Sequence, residues 1–212
     1  MKYFSTFTGV GGIDMGLPIE WECVGFSETD KFASQVLKYK YPNIKNYGNI
    51  KTINWAIVSD FNLLVGGSPC QDLSIAGKRK GITGERSGLF TEFIRALQEK
   101  KPEYFIWENV AGALSSNNGW DFAEVQTQMV KSGYELWWQV LNAKHFGVPQ
   151  NRKRIFVVGT RNGCPRKVFF ERGDSTEAPR VHETEQGERE RICSETKERN
   201  GSDERTQSGG GL

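Results

Sequence analysis

The chain has no pair of cysteines two residues apart and no cluster of cysteine with histidine. Its four cysteines stand singly at positions 23, 70, 164 and 193, and there are two histidines in 212 residues. The common zinc spacings are therefore excluded. No apolar run approaches the ~18 residues that a membrane helix needs. The N-terminus has no positively charged region followed by an apolar stretch, so it does not read as a signal peptide. These absences give the expectation of a protein of the reducing cytoplasm.

Charge of one sign is also scarce. The formal net charge is +2, with 28 Lys+Arg against 26 Asp+Glu. Residues 1–162 carry 19 basic against 15 acidic residues, and residues 163–212 carry 9 against 11. A mildly basic body is compatible with nucleic acid, and the tail is not a basic DNA-binding arm. The tail also lacks a core. Residues 171–212 hold five apolar side chains: Ala178, Val181, Ile192, Cys193 and Leu212. Too little apolar surface is present to offset chain entropy, which predicts disorder. The expected organisation is one domain over 1–162 and a polar tail over 163–212, with enough residues in the first for a substantial core.

Strand-like and helix-like segments alternate through the first part. Lys2–Phe7, Trp21–Ser27, Phe61–Val65, Tyr104–Trp107, Tyr134–Leu141 and Arg154–Gly159 read as strands. Thr29–Lys40, Ser87–Lys100 and Trp120–Lys131 read as helices; in the second, Leu89, Phe93 and Leu97 recur at helical spacing. Such alternation predicts an α/β fold, a mostly parallel sheet with helices on both faces. Ligands of such sheets sit beyond the carboxyl ends of the strands. Three motifs fall there.

The first is Phe7-Thr8-Gly9-Val10-Gly11-Gly12, directly after a strand. Glycines there permit a sharp turn and close approach to a ligand. A dinucleotide fingerprint would need glycine at position 14, where Asp14 stands, so a nicotinamide oxidoreductase is the weaker reading. Glu28, at the end of the second strand, suits ribose hydroxyls; a solvated carboxylate at a helix start is the plain alternative.

The second is Ser68-Pro69-Cys70-Gln71. A lone cysteine is commonly a small buried hydrophobe. Cys70 differs because it follows an apolar strand and Gly66-Gly67, and precedes a glycine-containing loop with Lys78, Arg79, Lys80 and Arg86. Nearby positive charge favours the nucleophilic thiolate. Cys23, alternating with apolar neighbours, reads as structural. The third is Glu108-Asn109-Val110, where a carboxylate leaves an apolar strand and desolvation would favour its protonation. A structural salt bridge is the alternative. Arg152 and Arg154 in Gln150-Asn151-Arg152-Lys153-Arg154 could equally be surface cations.

In their order and spacing, from Tyr3 to Thr160, these motifs resemble the cytosine-5 DNA methyltransferase family. The resemblance implies a Rossmann-like methyltransferase sheet using S-adenosyl-L-methionine and no metal. It implies a cofactor site of Phe7, Gly9, Gly11, Gly12, Glu28, Asn49, Ile50 and Leu89, with Phe7 packing on adenine. It implies Cys70 as the covalent nucleophile, Glu108 as donor to the cytosine ring, and Arg154, with Arg152 beside it, as an electrostatic clamp. The partner would be double-stranded DNA with the target cytosine flipped out. The setting implied is prokaryotic or viral, as in restriction–modification.

Two positions depart from the family pattern. Asn49 stands where an aspartate usually accepts from the adenine amino group, and Thr29 where an aromatic is frequent. Both predict weaker cofactor binding. Residues 163–212 stand where a target-recognition domain and further segments would follow. The expectation is a truncated product, half of a split enzyme served by a second polypeptide, or a gene remnant. A non-catalytic cofactor- or DNA-binding module and a transfer RNA cytosine methyltransferase are the other readings.

Overall fold

The computed structural model describes residues 1–69 and 88–162. Cys70, the cationic loop after it and the polar tail lie outside the described residues. The elements are β1 (Lys2–Thr6), β2 (Glu22–Ser27), α1 (Lys31–Lys40), β3 (Leu63–Gly66), α2 (Gly88–Lys100), β4 (Tyr104–Val110), α3 (Trp120–Lys131), β5 (Glu135–Asn142) and β6 (Lys153–Thr160). Among the described residues, no helix is long and apolar enough to cross a membrane.

The strands form one sheet in the order β2-β1-β3-β4-β6-β5. The first four strands of that order pair in parallel, and β6 runs antiparallel to both β4 and β5. The sheet is thus mostly parallel, as the alternation predicts. From β1 the chain proceeds to β2 on one side, while β3 leads to β4 on the other. That reversal opens a crevice beyond the carboxyl ends of β1 and β3.

Strand periodicity divides the core in two. Phe4, Leu64, Phe105, Trp107, Ile155 and Val157 point to one face. They meet Phe90, Phe93, Ile94 and Leu97 of α2 and Phe122, Val125 and Met129 of α3. Tyr3, Cys23, Phe26, Leu63 and Val65 face the other way and meet Leu37 of α1. Helices therefore cover both faces, because successive strand residues alternate sides. Asp30 starts α1 by accepting from Ala33 N at 2.8 Å, while Lys38 and Lys40 lie in its last turn. Both ends suit the helix dipole.

One expectation changes here. The strand read as Tyr104–Trp107 continues to Val110, so Glu108 and Asn109 lie within β4 and not past its end. The cause is β6, which pairs along β4 through Glu108↔Phe156 and Val110↔Arg154. Phe61 and Tyr134, read as strand residues, precede their strands and are buried in the core.

Packing at the centre is tight. Phe105 meets Phe93 edge-on at 5.8 Å and Tyr134 at 5.1 Å between ring centroids. Its cross-strand neighbour is Gly159, where an added Cβ would overlap the Phe105 ring. Gly159→Ala should therefore lower unfolding free energy by ~1–3 kcal/mol, as overpacking does. Urea denaturation measures it, and a second change, Phe105→Leu, should recover part of the loss by making room.

Candidate functional site

The turn after β1 is built from backbone geometry that few residues adopt. Phe7 has φ 50° although it is not glycine, and Gly11 has φ 85°. A side chain at Gly11 would also press on Leu37 and Tyr41 at 3.5 Å. The turn is tied to β1 by Thr8 Oγ1, which donates to Ser5 O at 3.1 Å, and by Ser5 Oγ, which donates to Asp14 Oδ2 at 3.0 Å. Burial raises the Asp14 carboxyl above its ordinary range. The residue that spoils a dinucleotide fingerprint is thus a buried anchor of this turn.

Glu28 closes the next side. One carboxylate oxygen accepts from Gly9 N at 2.6 Å; the other accepts from Thr29 N at 2.8 Å and Asp30 N at 2.7 Å. Three peptide N–H groups hold this carboxylate, which has no salt-bridge partner among the described residues. Its backbone is gripped by Asn46, whose Nδ2 donates to Glu28 O at 3.1 Å and whose Oδ1 accepts from Glu28 N at 3.1 Å and Gly48 N at 3.0 Å. Ser27 Oγ donates to Gly48 O at 2.8 Å. Asn49 Oδ1 accepts from Lys51 N at 3.0 Å and starts a short helical turn. Arg95 of α2 fixes that turn from below, donating to Ile50 O at 2.9 Å and Ile53 O at 3.1 Å.

These groups enclose a cleft of about 500 Å³. Phe7, Glu28, Asn49, Ile50 and Leu89 line it, together with Thr29, Lys51, Gly67 and Pro69. Five of the eight residues expected at a cofactor thus meet in one place. Gly9, Gly11 and Gly12 do not line it; Gly9 instead supports the wall through Glu28. The cleft combines apolar flanks, a carboxylate and a side-chain amide, and its volume suits a nucleoside-sized ligand. S-adenosylmethionine fits this donor and acceptor set.

The second half of the site lies one strand over. Gly67 follows β3 opposite Glu108, and a Cβ there would stand 2.7 Å from Glu108 O and 2.8 Å from its Oε2. Only glycine lets the Glu108 side chain lie over the end of β3. Glu108 Oε1 meets Arg154 Nε at 2.8 Å. Both are partly exposed, at 25% and 22%. Arg154 Nη1 also donates to Lys153 O at 2.9 Å. The salt bridge weighed from sequence as the plain alternative for Glu108 is therefore present, with Arg154 as its partner. Arg152 is exposed on the rim beside it.

Trp107 and Asn109 point to the opposite face and hold the segment that enters Cys70. Trp107 Nε1 donates to Ser68 Oγ at 3.2 Å, and Asn109 Nδ2 donates to Ser68 O at 2.9 Å. Ser68 and Asn109 are both 3% exposed. Cys70 itself lies outside the described residues. Cys23 is buried, and burial pushes its thiol up to about 12, which fits a structural cysteine.

Sequence reasoning passed over Asn46 and Arg95, and gave Ser68 and Asn109, quoted within their motifs, no role of their own. Asn46 carried a signal, since asparagine two residues before a glycine commonly makes a side-chain turn. Arg95 carried none, because on a helix it resembles any solvated cation. Among the described residues, no group of three or more His, Cys, Asp and Glu could hold a metal ion.

Comparison with known proteins gives relatives in both sequence and fold. The type II methyltransferase M.Bsp6I of Bacillus sp. is 41% identical over 166 residues, covering 76% of this chain and 53% of that protein. The orphan methyltransferase M.Rho11sI of Bacillus phage rho11s is 39% identical over 166 residues, covering 76% and 33%. The chain thus spans between 33% and 53% of the length of these relatives. The crystal structure of the S. pombe Dnmt2 methyltransferase has a similar fold, with TM-score 0.64 and 21% identity over 77% of this chain and 52% of that one. The family model of C-5 cytosine-specific DNA methylases matches residues 1–208. The chain belongs to the C-5 cytosine-specific DNA methylase family.

Proposed function

We propose that this chain carries the cofactor and catalytic half of an enzyme that methylates carbon 5 of cytosine in DNA, with S-adenosylmethionine as methyl donor. The observation that carries the reading is the adjacency of the cleft and the Glu108–Arg154 pair. Gly67 and Pro69 line the cleft, Glu108 lies over Gly67, and Pro69 leads directly into Cys70.

The chemistry needs these residue types together. Carbon 5 of cytosine is a weak nucleophile. Addition of the Cys70 thiolate to carbon 6 breaks the 5,6 double bond and moves its electron pair toward carbon 5. When bound, S-adenosylmethionine supplies an electrophilic methyl group on a sulfonium. As the thiolate adds, ring nitrogen 3 takes a proton from the Glu108 carboxyl in its protonated form, which leaves Glu108 as the carboxylate paired with Arg154, and the Arg154 guanidinium meets the charge at oxygen 2. The ion pair holds both side chains at one spot before the base arrives, which lowers reorganisation at the reacting step. After transfer, loss of the proton on carbon 5 allows the thiolate to leave. In the cofactor cleft, Glu28 accepts from ribose hydroxyls, Phe7 packs on the purine and Asn49 accepts from the adenine amino group.

Trapping tests the nucleophile. A duplex with 5-fluorocytosine cannot lose the substituent at carbon 5, so the adduct persists. Wild-type chain should form it in the presence of S-adenosylmethionine and a supplied recognition half, and Cys70→Ser should form none. Glu108→Gln should cut the rate of adduct formation by ~10²-fold while leaving cofactor affinity unchanged, as loss of transition-state stabilisation does. An adduct in the Cys70 variant, or loss of cofactor binding in the Glu108 variant, contradicts these roles.

Asn49 gives an independent test of the cleft. Aspartate also caps the short turn, so Asn49→Asp should fold normally. It should tighten S-adenosylmethionine binding about five- to ten-fold, because a charged acceptor makes the stronger hydrogen bond. Calorimetric titration of both proteins reads the difference, and equal affinities would place the adenine amino group elsewhere.

A further inference from the structure

We propose that Trp107 is a positioning residue for the Cys70 nucleophile, acting through the hydrogen bond from its indole N–H to the Ser68 hydroxyl. The inference rests on the covalent reading of Cys70 above, and it adds a residue that neither the cleft nor the Glu108–Arg154 pair includes.

Placement is the first observation. Gly66 pairs with Trp107, and there the ladder between β3 and β4 ends. Gly67, Ser68 and Pro69 then carry the chain to Cys70. Among the described residues, two side-chain hydrogen bonds reach this segment, and both end on Ser68. Trp107 Nε1 donates to its Oγ at 3.2 Å, and Asn109 Nδ2 donates to its O at 2.9 Å. A bond to the carbonyl is open to any residue at position 68. The indole bond needs a hydroxyl there, so it is the part that depends on this particular pair of side chains.

Stiffness carries the effect onward. Only Pro69 separates Ser68 from Cys70. The proline ring fixes its own φ and restricts the residue before it to extended backbone. Few torsions between Ser68 and Cys70 can absorb an error, so the point where Ser68 is held largely decides where the Cys70 backbone begins.

Burial and a second contact single out Trp107. It is 0% exposed and Ser68 is 3% exposed, so water does not compete for their bond. Burial alone does not impose such a bond in this fold. Trp55 is equally buried, and its Nε1 has no partner among the described residues. The Trp107 ring also meets Phe90 edge-on, at 6.0 Å between centroids. Phe90 lies in the first turn of α2, which starts at Gly88. One side chain therefore touches the residue two before Cys70 and the start of the helix that follows residues 70–87. Alternation along β4 completes the arrangement. Trp107 and Asn109 hold Ser68, while Glu108 between them meets Arg154. One strand thus registers the approach to the nucleophile against the carboxyl that meets the base.

Adduct trapping on the 5-fluorocytosine duplex, with the full chain under the conditions above and across a range of duplex concentrations, tests the role. Trp107→Phe keeps a ring and removes the N–H. Ser68→Ala removes the hydroxyl and keeps the backbone carbonyl. Each should lower the maximal rate of adduct formation about ten-fold, because small misplacements of reacting groups are costly. The duplex concentration at half-maximal rate and the affinity for S-adenosylmethionine should stay as in the wild type. The double variant should be no slower than the slower single variant, since both changes remove the same bond. Circular dichroism and thermal melting confirm that all variants are folded at the assay temperature.

A wild-type maximal rate in either single variant overturns the proposal. So do losses that multiply in the double variant, because the two side chains then act independently. A change confined to cofactor affinity or half-saturation also overturns it and leaves Trp107 a packing residue. The catalytic reading fails separately. An adduct in Cys70→Ser, or none in the wild-type chain, removes the nucleophile and this proposal with it. No adduct in Cys70→Ser together with a full rate in Trp107→Phe removes the positioning role alone.

Discussion

The close approach of β1, β3 and β4 at their carboxyl ends governs the whole site. Thr6 pairs with Gly66, and Gly66 pairs with Trp107. A Cβ at Gly66 would overlap the Thr6 side chain, and one at Gly67 would crowd Glu108. Thr6 Oγ1 completes the seam by donating to Val65 O at 3.1 Å. With the seam closed, the turn after β1 and the Ser-Pro segment after β3 emerge side by side. The cleft fills the gap between them. Any bulkier pair of residues at 66 and 67 would force the strands apart and separate the cleft wall from the Glu108–Arg154 pair.

Around that seam, charge is held by backbone more than by counter-charge. Glu28 is bound by three peptide N–H groups, and Arg95 reaches two carbonyls as well as Glu92 and Glu99. Such contacts orient a side chain while leaving part of its hydrogen-bonding capacity available. Glu108, unlike Glu28, has a counter-charge, Arg154. Their partial exposure limits what the pair adds to stability, because solvent screens it. Its value lies in placement.

Much of this was readable from residues. The interval Trp120–Lys131 is a helix with the expected bounds, because Gly119 and Gly133 stop it on both sides. Phe7, Glu28, Asn49, Ile50 and Leu89 meet in one cleft because each follows a strand or opens a helix on the same edge. What stayed hidden was nonlocal. That β6 lies between β4 and β5 depends on pairing across about 50 residues, which no local pattern encodes. The same pairing lengthens β4 past Glu108. The grip of Asn46 on Glu28 and of Asn109 on Ser68 is likewise visible only once distant segments meet.

The strand order also dictates how this sheet assembles as the chain leaves the ribosome. β4 is made long before β6, yet among the described residues β6 is its partner on that side, and β5 reaches the sheet through β6. Until residues 153–160 are synthesised, one edge of β4 presents open N–H and C=O groups, and β5 has no place to dock. Open edges of that kind invite pairing with other chains. The last described strand thus acts as a closing staple. Its arrival satisfies two strands at once and brings Arg154 to Glu108, so closure of the sheet among the described residues and formation of the Glu108–Arg154 pair are a single event.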